Sequence, residues 1–198
     1  MSRPKVFVAM RHVPELAMDL LHKRFDVELC DSVQATQAEI LQKIPGKFGI
    51  FCSPVNKIDE ELIKTAGPSL KVVGTISVGY DHVDLAAMKK YGVRLGYTPD
   101  ILTETVAETT VGLLISTTRR FFEANHALKT GEWKYSTPVW MCGRSIRNSV
   151  VGIVGCGNIG TSIAKKLNTF EISQLLYTSR TEKPAGKCYL IKGGSYIV

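Results

Sequence analysis

The chain has 198 residues, 44% hydrophobic and 22% charged, enough for a sizeable buried core in one domain or two small ones. Its formal charge of +7 is concentrated: residues 1–132 balance 16 basic against 16 acidic side chains, whereas residues 133–198 hold nine basic residues against Glu171 and Glu182. There is no signal peptide, no membrane-length apolar run and no C-x-x-C pair among five cysteines, so the expectation is a cytoplasmic protein with reduced thiols, no metal site and no membrane partner.

In chain order, Lys5–Ala9 reads as a buried strand, and Pro14 suits the start of a helix carrying Leu16, Leu20 and Leu21. Asp26–Cys30 alternates in polarity and predicts a second strand at an edge. A short helix over Ala38–Ile44 ends at Pro45-Gly46, Phe48–Cys52 is a third strand, and a helix over Asp59–Ala66 is closed by Gly67-Pro68. Leu70–Ile76 predicts a fourth strand, a helix from Leu85 stops at Gly92, and Val93–Tyr97 is a fifth strand. Strands alternating with helices imply an α/β fold, a parallel sheet with helices on both faces.

Thr98-Pro99-Asp100 interrupts this alternation. The longest helical stretch follows, Thr103 to Lys129, with Leu102, Val106, Leu113, Leu114 and Phe121 on one side. That stripe is wider than a surface helix needs and predicts a helix between two domains. Arg119-Arg120 reads as a solvated helix end, and Gly131–Arg147 as loop.

Val150–Val154 then predicts a strand that stops at Gly155-Cys-Gly-Asn-Ile-Gly160, where an amphipathic helix with Ile159, Ile163, Ala164 and Leu167 begins and runs to about Phe170. Gly155 allows a sharp turn, Gly157 lets the backbone approach a pyrophosphate, and Gly160 lets the helix pack on the strand. Free amides at the helix start then bind the anion. A lone G-x-G-x-x-G is weak; placed between strand and helix it is specific, and the competing reading is a glycine-rich turn without a ligand. Gln174–Thr178 is the next strand. The basic region around this turn suits an anionic cofactor and a small anionic substrate. Nucleic acid is the rival partner for clustered Lys and Arg, but no aromatic stacking pattern or nucleic-acid motif accompanies them.

Ser77-Val-Gly-Tyr-Asp-His-Val-Asp84, Gly92-Val-Arg-Leu-Gly-Tyr-Thr-Pro-Asp100 and Thr105-Val-Ala-Glu108 precede the glycine turn in this order. Together they resemble the D-isomer-specific 2-hydroxyacid dehydrogenase family. Trp133, Pro138, Trp140, Cys142-Gly143 and Tyr177-Thr-Ser-Arg180 are most similar to its glyoxylate/hydroxypyruvate reductase branch. The resemblance runs from Lys5 to about Lys183. It implies a flavodoxin-like substrate domain over residues 1–99 with strand order 2-1-3-4-5, then an interdomain helix and the opening βαβ of a Rossmann domain over residues 100–183. It also implies reduction of a 2-keto acid by a nicotinamide cofactor. By position, Val78 and Gly79 offer amides to the substrate carboxylate. Gly157, Asn158 and Ile159 cover the pyrophosphate beside Gly155 and Gly160, and Val106 and Thr109 lie near the nicotinamide. In the family the region of Trp133, Tyr135 and Trp140 lies close to a dimer partner, so packing and contact are both open there, and a homodimer is expected of a full-length form.

An NADH site places an acid about 20 residues past the glycines, on the ribose hydroxyls. Here the strand ends at Tyr177-Thr-Ser179-Arg180, with no acid at its tip, which predicts NADPH: Arg180 and Lys183 accept a 2′-phosphate and Ser179 hydrogen-bonds it. The competing reading leaves Arg180 solvated and makes Glu182 a displaced acid.

The family's catalytic arginine, acid and histidine have no positional match in this chain. Asp81-His82 reads as a structural histidine beside the substrate loop, His12, His22 and His126 as surface residues, and Cys156 as the filler of a small apolar slot. Residues 184–198 have no recognisable counterpart, which predicts a truncated, alternatively spliced or mispredicted product. Two function classes follow: a reductase represented by an incomplete chain, or a non-catalytic product that binds cofactor weakly or pairs with a complete subunit.

Overall fold

The computed structural model describes residues 2–179 and 188–190, and the chain divides into two units, Met1–Ile101 and Leu102–Val198. The first unit runs β1 (Lys5–Val8), α1 (Glu15–Arg24), β2 (Asp26–Leu29), α2 (Gln37–Lys43), β3 (Gly49–Cys52), α3 (Glu60–Ala66), β4 (Val72–Thr75), α4 (Leu85–Tyr91) and β5 (Arg94–Gly96). Its strands are all parallel in the order β2-β1-β3-β4-β5, so the flavodoxin-like order is correct and β2 is an edge.

Alternation along β1 builds both faces of this sheet. Phe7 and Ala9 join Ile40, Ile44, Ile50, Leu62 and Val73 on one side, while Val6, Val8 and Met10 pack with Leu21, Phe25 and Phe51 on the other. Three helices start at side-chain caps: Thr36 accepts from the Glu39 amide, Asp59 from Leu62 and Asp84 from Ala87. Gly92, left-handed at φ 67°, turns the chain from α4 into β5. In α1 Leu21 packs against the core, whereas Leu16 and Leu20 are exposed.

The second unit contains α5 (Thr103–Thr118), α6 (Phe121–Thr130), β6 (Val150–Val154), α7 (Asn158–Asn168), β7 (Gln174–Thr178) and β8 (Cys188–Leu190), with a parallel sheet in the order β6-β7-β8. The single helix expected over Thr103–Lys129 is two helices. Arg120 is left-handed at φ 59°, and the Thr118 carbonyl accepts from the Arg144 amide at 2.8 Å instead of from the next helical turn. Gly143 makes that approach possible, since a β-carbon there would lie 2.0 Å from the Thr118 oxygen. The break is therefore imposed by a loop more than 20 residues downstream, not by a local breaker. β8 is a strand that sequence reading did not anticipate; three residues are too few to show a period.

α7 packs on α5 through Val111, Leu114 and Ile115 against Ala164 and Leu167. Polar bonds fix the register at the N-terminal end of α5. Lys166 Nζ and Ser162 Oγ each donate to a Glu104 carboxylate oxygen at 2.8 Å, which holds that carboxyl below the usual carboxylate range.

Candidate functional site

The glycine turn of the second unit is built as its spacing requires. Gly155 has φ 90°, a conformation that disfavours other residues. The Thr178 carbonyl at the end of β7 accepts from both the Gly155 and Cys156 amides, at 3.1 and 3.0 Å, which ties the turn to the neighbouring strand. At Gly160 a β-carbon would sit 2.5 Å from the Gly155 oxygen, so helix and turn touch only because it is absent. Gly157 differs: a β-carbon there would meet nothing within 4 Å. It is the N-cap of α7 and supplies no side chain to cap it. The protein leaves open space in front of a helix start, which fits a bound phosphate group.

Around the turn, Cys156 is buried beside Thr161, as a slot-filling residue should be, and Ile159 is about one-third exposed. Ser179 directly follows β7, whose Thr178 pairs with Val154, so it stands beside the turn and half-buried. Arg180 and Lys183 lie outside the described residues. Val106 and Thr109 are exposed on α5. Glu104, Glu108, Val111 and Ile115 form the stripe that meets α7, and Val106 and Thr109 fall on the other side of the helix at ~100° per residue.

In the first unit, Val78 and Gly79 lie in the loop that leaves the carboxyl end of β4. Among the described residues neither amide donates a hydrogen bond. The loop itself is tightly held. Ser77 Oγ donates to the Gly79 carbonyl at 2.6 Å, Thr75 Oγ1 lies 2.8 Å from Ser77 Oγ and 3.0 Å from His82 Nε2, and the Thr98 amide donates to the Ser77 carbonyl at 2.9 Å. Ile58 joins the far end, donating to the His82 carbonyl and accepting from the Asp84 amide, each at 2.8 Å. No hydrogen bond links Asp81 to His82; burial lowers the His82 pKa, and Asp81 opposes that shift through its charge.

Sequence reasoning missed Thr75 and Ser77 in this arrangement, and it missed Asn56. Asn56 is 2% exposed and accepts from Gln34 Nε2 and the Ser53 amide while donating to the Ala35 carbonyl, so it binds together the loops after β2 and β3. A serine two residues before a glycine was the available signal for the Ser77 turn. Nothing in the sequence marked Asn56. His12, His22 and His126 are exposed, and Trp133 and Trp140 stack edge to face at 4.8 Å. Among the described residues no cluster of ligating side chains could hold a metal, and no helix is long and apolar enough to cross a membrane.

Residues 6–189 match the family described as D-isomer specific 2-hydroxyacid dehydrogenase, catalytic domain. The chain belongs to this family. The match runs past Lys183 into the tail that had no recognised counterpart, reaching β8. The glyoxylate reductase/hydroxypyruvate reductase of Homo sapiens is 42% identical over 183 residues, 91% of this chain and 56% of that protein. A crystal structure of a Thermus thermophilus protein superposes with a TM-score of 0.88 at 34% identity, covering 94% of this chain and 59% of that one. An NADPH-dependent glyoxylate/hydroxypyruvate reductase from Sinorhizobium meliloti, solved with NADP and malonate, gives 0.78 at 29% identity, covering 96% and 57%. The chain spans about half the length of the curated relatives it matches.

The two glycines of the turn should respond differently to a methyl group. Gly160→Ala is expected to lower stability by about 1–3 kcal/mol through overpacking, and Gly157→Ala to change it by less than about 0.5 kcal/mol. Thermal unfolding of the two variants measures this. Equal losses would mean that the space in front of α7 is closed.

Proposed function

We propose that this chain is part of an NADPH-dependent reductase that converts glyoxylate or hydroxypyruvate to the corresponding 2-hydroxy acid. The observation that carries this reading is the open Gly157 cradle at the start of α7, in a chain of the 2-hydroxyacid dehydrogenase family. The nicotinamide cofactor supplies the hydride. Gly155, Gly157, Asn158, Ile159 and Gly160 are assigned to its pyrophosphate, and Val106 and Thr109 to the region of its ring. Val78 and Gly79 are assigned to the substrate carboxylate, because their amides are donors without an acceptor among the described residues. A carboxylate accepting two such amides is held in one orientation, which presents its keto carbon in a fixed position.

The preference for NADPH rests on the tip of β7, where Ser179 stands in place of an acid and Arg180 and Lys183 follow. An acid there would repel a 2′-phosphate and accept from ribose hydroxyls instead. The Sinorhizobium meliloti relative, named NADPH-dependent, supports the same choice. In a full-length context Ser179→Asp should move the ratio of NADPH to NADH affinity by roughly tenfold toward NADH, the worth of a hydrogen bond to a charged group. Equal binding of the two cofactors before the substitution would refute the assignment.

The 198 residues alone are expected not to turn over either keto acid. Reduction needs a proton donor at the developing alkoxide. His82 directs Nε2 at Thr75, and His12, His22 and His126 are exposed surface residues. None matches the position of the family's catalytic histidine. Purified residues 1–198, followed by NADPH absorbance with each keto acid, test this; turnover near that of a full-length relative would show that a group within this chain supplies the proton.

We also assign a homodimer to the full-length form, with the partner seated on the second unit. Phe121, Phe122, Leu128, Trp133, Tyr135 and Val139 are all exposed there, more apolar surface than a solvated helix and loop require. Sedimentation of the full-length protein measures it, and a monomer at micromolar concentration would remove this reading.

A further inference from the structure

The loop after β4 contains a line of side chains whose hydrogens can be counted. The Gly79 carbonyl only accepts, so the 2.6 Å contact with it uses the single hydroxyl proton of Ser77. In the 2.8 Å contact between the two hydroxyls, Thr75 must then be the donor and Ser77 the acceptor. The proton of Thr75 is spent in turn, so the 3.0 Å contact with His82 is donated by the imidazole Nε2–H. Cys52 pairs with Thr75 across β3 and β4, and a thiolate there would compete for the Thr75 proton. Burial pushes the Cys52 thiol up to about 11, so it stays protonated and makes no such demand. Every hydrogen in the line points the same way, from His82 through Thr75 and Ser77 to Gly79.

This direction bears on the Val78 and Gly79 amides, which have no partner among the described residues. In a trans peptide each carbonyl opposes the following N–H, so orienting one orients the other. The Thr98 amide holds the Ser77 carbonyl and thereby sets the Val78 N–H. Ser77 holds the Gly79 carbonyl and thereby sets the next peptide plane. The plane carrying the Gly79 N–H lies between two that are fixed. Thr75 is 2% and Ser77 8% exposed, so water does not readily replace either hydroxyl. We propose that Ser77 is a positioning residue for the 2-keto acid: the one-way relay from His82 through Thr75 fixes its hydroxyl on the Gly79 carbonyl, which, together with the Thr98 amide on the Ser77 carbonyl, brackets the Gly79 N–H and so presents the Val78 and Gly79 amides to the substrate carboxylate.

The proposal rests on the assignment of those amides to the substrate, and the experiment separates the two. Isotope-labelled residues 1–198 are titrated with oxamate, an unreactive 2-keto acid analogue, while the amide resonances of Val78 and Gly79 are followed. Both are expected to shift in the unsubstituted chain. Ser77→Ala should weaken the apparent affinity about tenfold, the loss of one orienting hydrogen bond, and Ser77→Thr should restore it. Long-range proton–nitrogen spectra of the unliganded chain should show the neutral His82 ring protonated on Nε2. No shift at Val78 or Gly79 in the unsubstituted chain overturns the carboxylate assignment and the proposal with it. Shifts with undiminished affinity in Ser77→Ala overturn the proposal alone, as does a His82 ring protonated on Nδ1. The tautomer is read without any substitution, so it decides the relay even if Ser77→Ala fails to fold.

Discussion

At the carboxyl end of a parallel sheet the strands run out of neighbours, and the backbone groups of the departing loops must find partners elsewhere or remain available to a ligand. Each unit of this chain meets that constraint in its own way. The first uses buried side chains: Asn56 for the loops after β2 and β3, and Thr75, Ser77 and His82 for the loop after β4. The second uses backbone at its centre, with the Thr178 carbonyl taking two amides of the glycine turn, and Thr161 Oγ1 donates to the Gly157 carbonyl. In the first unit the Val78 and Gly79 amides are left over among the described residues, and in the second a helix start faces open space, so both edges favour an anion.

The two solutions differ in what they tolerate. The glycine turn depends on missing atoms. Gly155 needs its left-handed backbone and Gly160 its close approach, and no rearrangement of side chains replaces either. The loop after β4 depends on atoms that are present, in a line where each hydroxyl both accepts and donates. A line of this kind is cooperative, and it is also exposed to single deletions, because removing one hydroxyl leaves buried partners on both sides without a bond.

α5 shows how the scaffold for such an edge is fixed at a distance. Its contact with α7 is apolar in the middle and polar at one end, where Glu104 accepts from Ser162 and Lys166. Apolar packing alone would allow α7 to slide by one turn on α5; the bonds to Glu104 select one register. Since Gly157 caps α7, that register also fixes the position of the helix start at which the cradle lies.

Much of this was legible in the sequence, for reasons that can be stated. Buried and alternating apolar runs marked the strands of the first sheet, Pro45-Gly46, Gly67-Pro68 and Gly92 marked the ends of its helices, and the glycine spacing announced the turn before α7. These signals are local, carried by residues within a turn of one another. What only the tertiary structure decided involves partners far apart in the chain. The helix break at Arg120 is made by Gly143 and Arg144, which the apolar period of Thr103–Lys129 cannot register. Leu16 and Leu20 of α1 face away from the core although they match Leu21 in apolar character. Asn56 has the appearance of any loop asparagine until Gln34, Ala35 and Ser53 are folded around it. A hydrogen bond between groups about 20 residues apart leaves no periodic trace, because its partners are chosen by the packing of the strands between them and not by their neighbours in sequence.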